Sequence, residues 1–283
     1  MLISIKNVRK NYDGFSLDCS LELHEGMITG IIGGNGAGKS TTFKAILDLI
    51  NTDGGKIEIF GKDNKSLTIQ DKEDIGIVMA ESFFSGWLTI KDISAIMSAT
   101  YRKFDKVKFF EKCRKFSLPE NKKYKEFSTG MKAKLKVITA MSYDARLLIL
   151  DEPTSGLDSV TRSEILDELR EFMQVDGRGI LISSHIASDL ENLCDDLYFI
   201  NNGKVVLYED TDSILSKYAL MKVSREQYEA IDKTYIVYEK EENFGYSLLT
   251  NERQFYAENY PSIVMEKGNI DEVVMMMVKG KER

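Results

Sequence analysis

The stretch that most restricts the fold of this chain is Leu147-Leu148-Ile149-Leu150-Asp151-Glu152-Pro153-Thr154-Ser155-Gly156-Leu157-Asp158. Four consecutive apolar residues predict a strand buried on both faces, which belongs in a sheet covered by helices. Two adjacent carboxylates then stand where the strand emerges. Unpaired carboxylates resist desolvation, so such an ending makes physical sense where a cation and a reacting water meet it. Upstream, Gly33-Gly34-Asn35-Gly36-Ala37-Gly38-Lys39-Ser40 matches the phosphate-cradling pattern GxxxxGK[ST]. The apolar run Met27 to Ile32 enters this loop, and a helical pattern of Phe43, Ile46, Leu47 and Ile50 leaves it. Strand, glycine loop and helix together predict backbone N–H groups and a positive helix end gripping a polyphosphate. The two segments point to nucleotide hydrolysis.

The rest of the chain alternates in the same way. Leu2 to Val8 and Phe15 to Leu23 read as half-buried strands, Ile57 to Phe60 and Ile75 to Met79 as further strands. A helix-rich insert runs from about Thr89 to Ser142. After the strand at Leu147 come a helix from Val160 to about Val175, a strand at Ile180 to Ser183 and a helix near Ile186. A hairpin then turns at Asn201-Asn202-Gly203. This alternation predicts a mostly parallel, helix-covered sheet. Beyond Asp212 the texture changes to short strands at 219–223, 235–238, 246–249 and 262–265, with helices at 224–232, 252–259 and 271–278. That is a small, tyrosine-rich α+β appendage.

Within this frame Lys39 is placed to reach the β- and γ-phosphates and the Ser40 hydroxyl to ligate Mg²⁺. Asp151 is expected to hold the same Mg²⁺, and Glu152 to accept a proton from the attacking water. His185, just beyond a strand in Ser183-Ser184-His185, is suited to hydrogen-bond both a γ-phosphate and a carboxylate. Tyr12, in a loop after Lys10-Asn11, is an aromatic able to stack on adenine. Ser128 and the Gly130 backbone, at the start of a helix through Leu135 and Ile138, form a second anion site. Two such sites in one chain suggest that each serves the nucleotide of a different subunit. His24, in a polar turn, reads as a surface residue.

Composition bounds the partners. The net charge of −7 argues against general nucleic-acid binding. Between Tyr101 and Lys136, however, thirteen Lys/Arg face four Asp/Glu, a local excess of +9 that leaves −16 on the rest. The excess reads either as solvated helix faces or as a basic lobe turned to anionic lipid or an acidic partner. No apolar stretch approaches the ~18 residues of a membrane helix, and no charged-then-apolar leader is visible. Cys19, Cys113 and Cys194 are widely spaced, which predicts core thiols in a reducing compartment.

Taken together, the motifs resemble those of the nucleotide-binding subunits of ATP-binding cassette (ABC) transporters, over roughly residues 1–212. Tyr12 resembles the adenine-stacking aromatic, and Gly33 to Ser40, with Thr41 after it, the Walker A loop. Ser128-Thr129-Gly130-Met131 is similar to the signature, Leu147 to Glu152 to Walker B, Ser155 to Asp158 to the D-loop and His185 to the switch histidine. The resemblance implies an α/β P-loop NTPase with a RecA-like, mostly parallel core. It adds a small antiparallel β subdomain, a helical subdomain at about 82–142 and an accessory α+β region at 213–283. It also implies Gly33, Gly34, Asn35, Gly36, Ala37, Gly38, Lys39, Ser40, Thr41, Ser128, Gly130 and Asp158 as nucleotide contacts. Two ATP molecules with Mg²⁺ would lie between two such subunits, either two copies of the chain or this chain and a related one, whose closure drives a separate membrane permease from the cytoplasmic face. The appendage and the segment Asn269 to Val274 resemble exporters of peptides, antimicrobial compounds or lipids. An importer ATPase and a soluble, non-transport cassette protein are the alternatives.

The chain departs from that pattern in two places. Thr129 and Met131 replace the second and fourth signature residues. The family's Q-loop glutamine aligns on Ala80, which cannot ligate Mg²⁺ or orient water; Glu81, one place along a strand, points to the other face and replaces it only if the loop bends. Phe83, Phe84 and Trp87 follow, as core of the insert or as a groove for a permease helix.

Overall fold

The computed structural model describes residues 1–80 and 84–283. It opens with an antiparallel pair, β1 (Ile3–Tyr12) and β2 (Phe15–Leu23), in which buried Leu17, Cys19, Leu21 and Leu23 alternate with polar residues. The alternation makes the pair: one face covers the core and the other meets water. Strand β3 (Ile28–Ile32), buried throughout, feeds the glycine loop into α1 (Lys39–Ile46). Strands β4 (Gly54–Ile59) and β5 (Lys62–Asp63) return beside β1, and α2 (Ile69–Glu73) precedes β6 (Ile75–Val78).

The insert contains α3 (Ile90–Thr100), α4 (Lys106–Lys115) and α5 (Thr129–Ala140). Each starts where the sequence offers a cap: Thr89, Asp105 and Ser128 accept from backbone N–H groups of the first turn. The chain re-enters the core through β7 (Leu147–Asp151), α6 (Ser159–Phe172), β8 (Gly179–Ser184), α7 (Ala187–Glu191), β9 (Asp196–Asn201), β10 (Lys204–Asp210) and α8 (Thr211–Lys217).

Among the described residues the main sheet has ten strands, in the order β5-β4-β1-β2-β10-β9-β3-β8-β7-β6. Strands β9, β3, β8, β7 and β6 are parallel neighbours, and β1, β2, β4 and β5 are antiparallel. Thus the expected parallel core and small antiparallel part are observed as two halves of one sheet, joined where Lys204 of β10 meets Asp18 of β2. The division follows the connections: helical crossovers impose parallel pairing, and tight turns permit only antiparallel pairing. Register places Ile32 beside Ser184, and Asp151 beside Ser183. The glycine loop, the Asp-Glu pair and the Ser-Ser-His segment therefore leave the sheet at one edge.

After α8 follow β11 (Ala219–Val223), α9 (Arg225–Ala230), β12 (Ile236–Glu242), β13 (Gly245–Thr250), α10 (Arg253–Asn259), β14 (Val264–Lys267), α11 (Ile270–Lys279) and β15 (Lys281–Glu282). They form a second, antiparallel sheet, β14-β11-β13-β12-β15, with its own core around Met221, Leu248 and Tyr256. Helix α11 packs elsewhere: Ile270, Val273 and Met276 join the main core with Ala187 and Leu190 of α7.

Several expectations shift. Tyr12 is the last residue of β1, paired with Phe15, rather than a loop residue. The helix expected at 160–175 runs from Ser159 to Phe172, because Asp158 caps it one residue earlier. The strand expected at 235–238 continues to Glu242, because β13 pairs its charged end, with β15 on the other side of Tyr238 and Glu239. All three cysteines are buried and free. Five basic residues of the insert are paired with carboxylates outside it: Arg102 and Lys103 meet Glu73 and Asp74, Lys134 meets Glu164, and Lys112 and Lys115 meet Glu168. Among the described residues no helix is long and apolar enough to cross a membrane.

Candidate functional site

The glycine loop is shaped by two steric facts. A Cβ on Gly33 would lie 2.4 Å from the Ile200 carbonyl oxygen, so only glycine lets the loop pass the neighbouring strand. Gly38 precedes α1 at φ +117°, a conformation that side chains disfavour. The turn delivers Lys39, Ser40 and Thr41 into the first helical turn, where N–H groups have no intrahelical acceptor and point out of the helix end. Gly34, Asn35, Gly36, Ala37, Gly38, Lys39, Ser40 and Thr41 all line one cavity of ≈ 1140 Å³, shared with Glu152, Pro153, Ser155 and His185.

The centre of this cavity is an arrangement of charge around Glu152. Its Oε1 lies 3.2 Å from Lys39 Nζ, and its Oε2 2.6 Å from His185 Nδ1. The His185 backbone N–H also donates to Oε2, at 3.3 Å. Glu152 holds φ +52°, unusual for a residue with a side chain. The left-handed turn breaks strand alternation, so Asp151 stays 1% exposed while Glu152 turns toward the loop. Ser183 ties the two together: its hydroxyl donates to Asp151 Oδ1 at 2.7 Å and accepts from the Glu152 N–H at 3.0 Å. Lys39, 7% exposed, also donates to the Gly33 and Gly34 carbonyls, at 2.6 and 3.4 Å. Its ammonium is thus held at the loop's mouth by oxygen atoms that a phosphate oxygen can replace.

Ser128, Gly130 and Asp158 are not part of this cavity. They line a second one with Thr129, Met131, Lys134, Gly156, Leu157 and Thr161. Here Ser128 Oγ accepts from Met131 N–H, and Asp158 accepts from the N–H groups of Val160 and Thr161. Those backbone donors hold the exposed Asp158 carboxyl below its ordinary pKa. Within one chain the two sets of predicted contacts therefore face different cavities.

A family model described as ABC transporter matches residues 17–155. The ABC transporter ATP-binding protein YtrB of Bacillus subtilis (strain 168) is 31% identical over 225 residues, covering 79% of this chain and 77% of that protein. The chain belongs to the ATP-binding proteins of ABC transporters. The lantibiotic transport ATP-binding protein SrtF of Streptococcus pyogenes is 31% identical over 75% of this chain and 92% of its own length. A solved structure described as the ATP binding subunit of an ABC transporter superposes with a TM-score of 0.68 at 26% identity, covering 81% of this chain and 94% of that one. This ABC protein is accordingly an ATPase subunit of a transporter.

Sequence reasoning missed some of the ABC site's neighbours. Tyr12, 46% exposed, leans on Phe15 with ring centroids 6.3 Å apart, and Phe15 with Gly14 lines the main cavity. An aromatic on the far side of the Asp13-Gly14 turn was the available signal. Lys132 and Lys136 of α5 also line that cavity, a pairing legible from their i, i+4 spacing. Ala80 lines the cavity as well, whereas Glu81 and Phe83 lie outside the described residues. Phe84 packs on the main core, while Trp87 is 65% exposed beneath the Lys125 ammonium.

Proposed function

We propose that this ABC subunit binds Mg-ATP in the glycine-loop cavity and hydrolyses it with Glu152 as general base. In this reading a second copy closes the site, and the resulting motion drives a separate membrane permease. The observation that carries it is the Glu152 carboxylate, bracketed by Lys39 and His185 at the mouth of the glycine loop.

Nucleotide phosphates draw Lys39 away from Glu152 by offering a stronger, doubly charged partner. Glu152 then turns to the water lying in line with the γ-phosphate and takes its proton. His185, held through Nδ1 by Glu152, keeps Nε2 for a γ-phosphate oxygen. Gly34 to Thr41 supply N–H groups to the phosphates, and Tyr12 with Phe15 supplies a wall for adenine. The oxygen donors Asp151 and Ser40 fit Mg²⁺, a hard cation bound through few protein ligands. When bound, that ion neutralises charge on the β- and γ-phosphates.

Ser128, Gly130 and Asp158 are read as the half-site offered to the partner's nucleotide. Closure from 1:99 to 99:1 requires about 5.5 kcal/mol of differential binding, under about 3 kcal/mol for each of two nucleotides. Charge-assisted phosphate contacts reach that size. For cargo, the lantibiotic relative and the α+β region beyond residue 212 support export of a peptide, antimicrobial or lipid-like compound.

The test is Glu152→Gln. ATP binding is expected to persist while turnover falls roughly 10²- to 10⁴-fold, and light scattering should show dimers in Mg-ATP. Unchanged turnover removes Glu152 from the mechanism, and a monomer under those conditions removes the shared site.

A further inference from the structure

Helix α7 begins two residues after His185 and has a different partner on each side. Toward the site it presents Asp189, which is 2% exposed and accepts a 2.7 Å hydrogen bond from the buried Thr154 hydroxyl. Thr154 lies two residues after Glu152. Arg162 of α6 completes the cluster: its Nε is 3.6 Å from Asp189 Oδ1, and its guanidinium donates to the Leu157 carbonyl at 3.3 Å. One carboxylate thus joins the segments that carry Glu152, His185 and the Asp158 cap. A buried carboxylate held this way resists displacement, because losing Arg162 strands its charge and losing Thr154 removes a hydrogen bond.

On its other side α7 meets the C-terminal helix. Glu191 Oε1 accepts the Ile270 N–H at 2.8 Å, in the first turn of α11 where that donor has no intrahelical acceptor. Ala187 and Leu190 are buried in the same cluster as Ile270, Val273 and Met276. The second sheet therefore reaches the catalytic edge through a five-residue helix.

We propose that Asp189 is a positioning residue for the Glu152–His185 pair, and that α11 braces it through Glu191. Fixing α7 fixes where His185 leaves β8, while the Thr154 bond fixes the loop that carries Glu152. The two catalytic side chains then keep their hydrogen bond only while α7 is seated. This inference rests on the catalytic reading of Glu152 given above.

The experiment measures kcat and KM for ATP and the thermal midpoint of the full chain carrying Thr154→Val, Thr154→Ser, Asp189→Asn, Glu191→Ala or Glu191→Gln, with Glu152→Gln alongside. Thr154→Val and Asp189→Asn are expected to lower kcat by about tenfold or more, with KM within about threefold, the signature of a lost transition-state contact. Thr154→Ser, which keeps the hydroxyl, should restore kcat. Glu191→Ala should lower kcat less, and Glu191→Gln, which keeps the acceptor, should restore it. The Thr154→Val and Asp189→Asn effects should not add in the double variant. Parental kcat in Thr154→Val, or losses that track the midpoint and ignore the conservative variants, overturn the inference. Parental turnover in Glu152→Gln would instead overturn the catalytic reading itself.

Discussion

Lys39 shows how much one side chain here depends on its setting. It is almost fully buried, and it meets the Gly33 and Gly34 carbonyls and the Glu152 carboxylate. Lys39→Ala removes a charged donor of roughly 1.5–3 kcal/mol, so ATP affinity should fall about 10- to 100-fold by titration of a fluorescent analogue. The thiols behave oppositely. Burial pushes the Cys19 thiol to about 11 and Cys113 to about 12, and lifts Cys194 well above its ordinary value. Thiolate is the reactive form, so iodoacetamide at pH 8 should label none of the three until the protein unfolds, as mass spectrometry would show. Lys39 and the cysteines were legible as residues because motif spacing and apolar surroundings are local. The left-handed turn at Glu152 was not, since nothing in Asp-Glu-Pro announces a positive φ.

Capping explains much about the elements. Thr68 with Asp71 closes α2, and Thr89 with Asp92 closes α3, each pair exchanging backbone hydrogen bonds. Hydrogen bonds from Lys62 and Thr68 lower the Asp71 carboxyl to about 2, and those from Thr89 lower Asp92. Both folded values lie below the unfolded ones. Their contribution to stability is therefore complete above the ordinary carboxylate pKa and lost as pH falls through the depressed values. Asp92→Ala should flatten the acid limb of the stability curve, seen by circular dichroism between pH 2 and 5. Thr89→Ala should cost about 1 kcal/mol in urea unfolding at pH 7. Caps, glycine turns and alternation made most elements readable. Strand β12 ran past its expected end because Glu239 to Glu242 look solvated, yet the adjoining strand β13 pairs all four of them.

Across the whole molecule, the insert is fastened to the core by ions. Lys112 of α4 and Lys115 both reach Glu168 of α6, which is 2% exposed. Lys112→Met leaves that carboxylate with one partner and should destabilise the chain by about 2 kcal/mol, below the loss for a fully broken buried pair. A urea midpoint lowered at constant m-value would show it. None of this was visible in the basic excess of the insert, because charge counts do not say which opposite charge comes near. The docking of α11 on α7 was equally hidden, joining positions 79 residues apart.

The division of the expected nucleotide contacts between two cavities of a single chain carries a kinetic consequence for dilute samples. Under the proposed shared site, a solitary copy would load fuel but lack the lid that another copy supplies, and so would idle. Specific activity should then climb with enzyme concentration, from near nothing toward a plateau, rather than stay flat as for a self-sufficient catalyst.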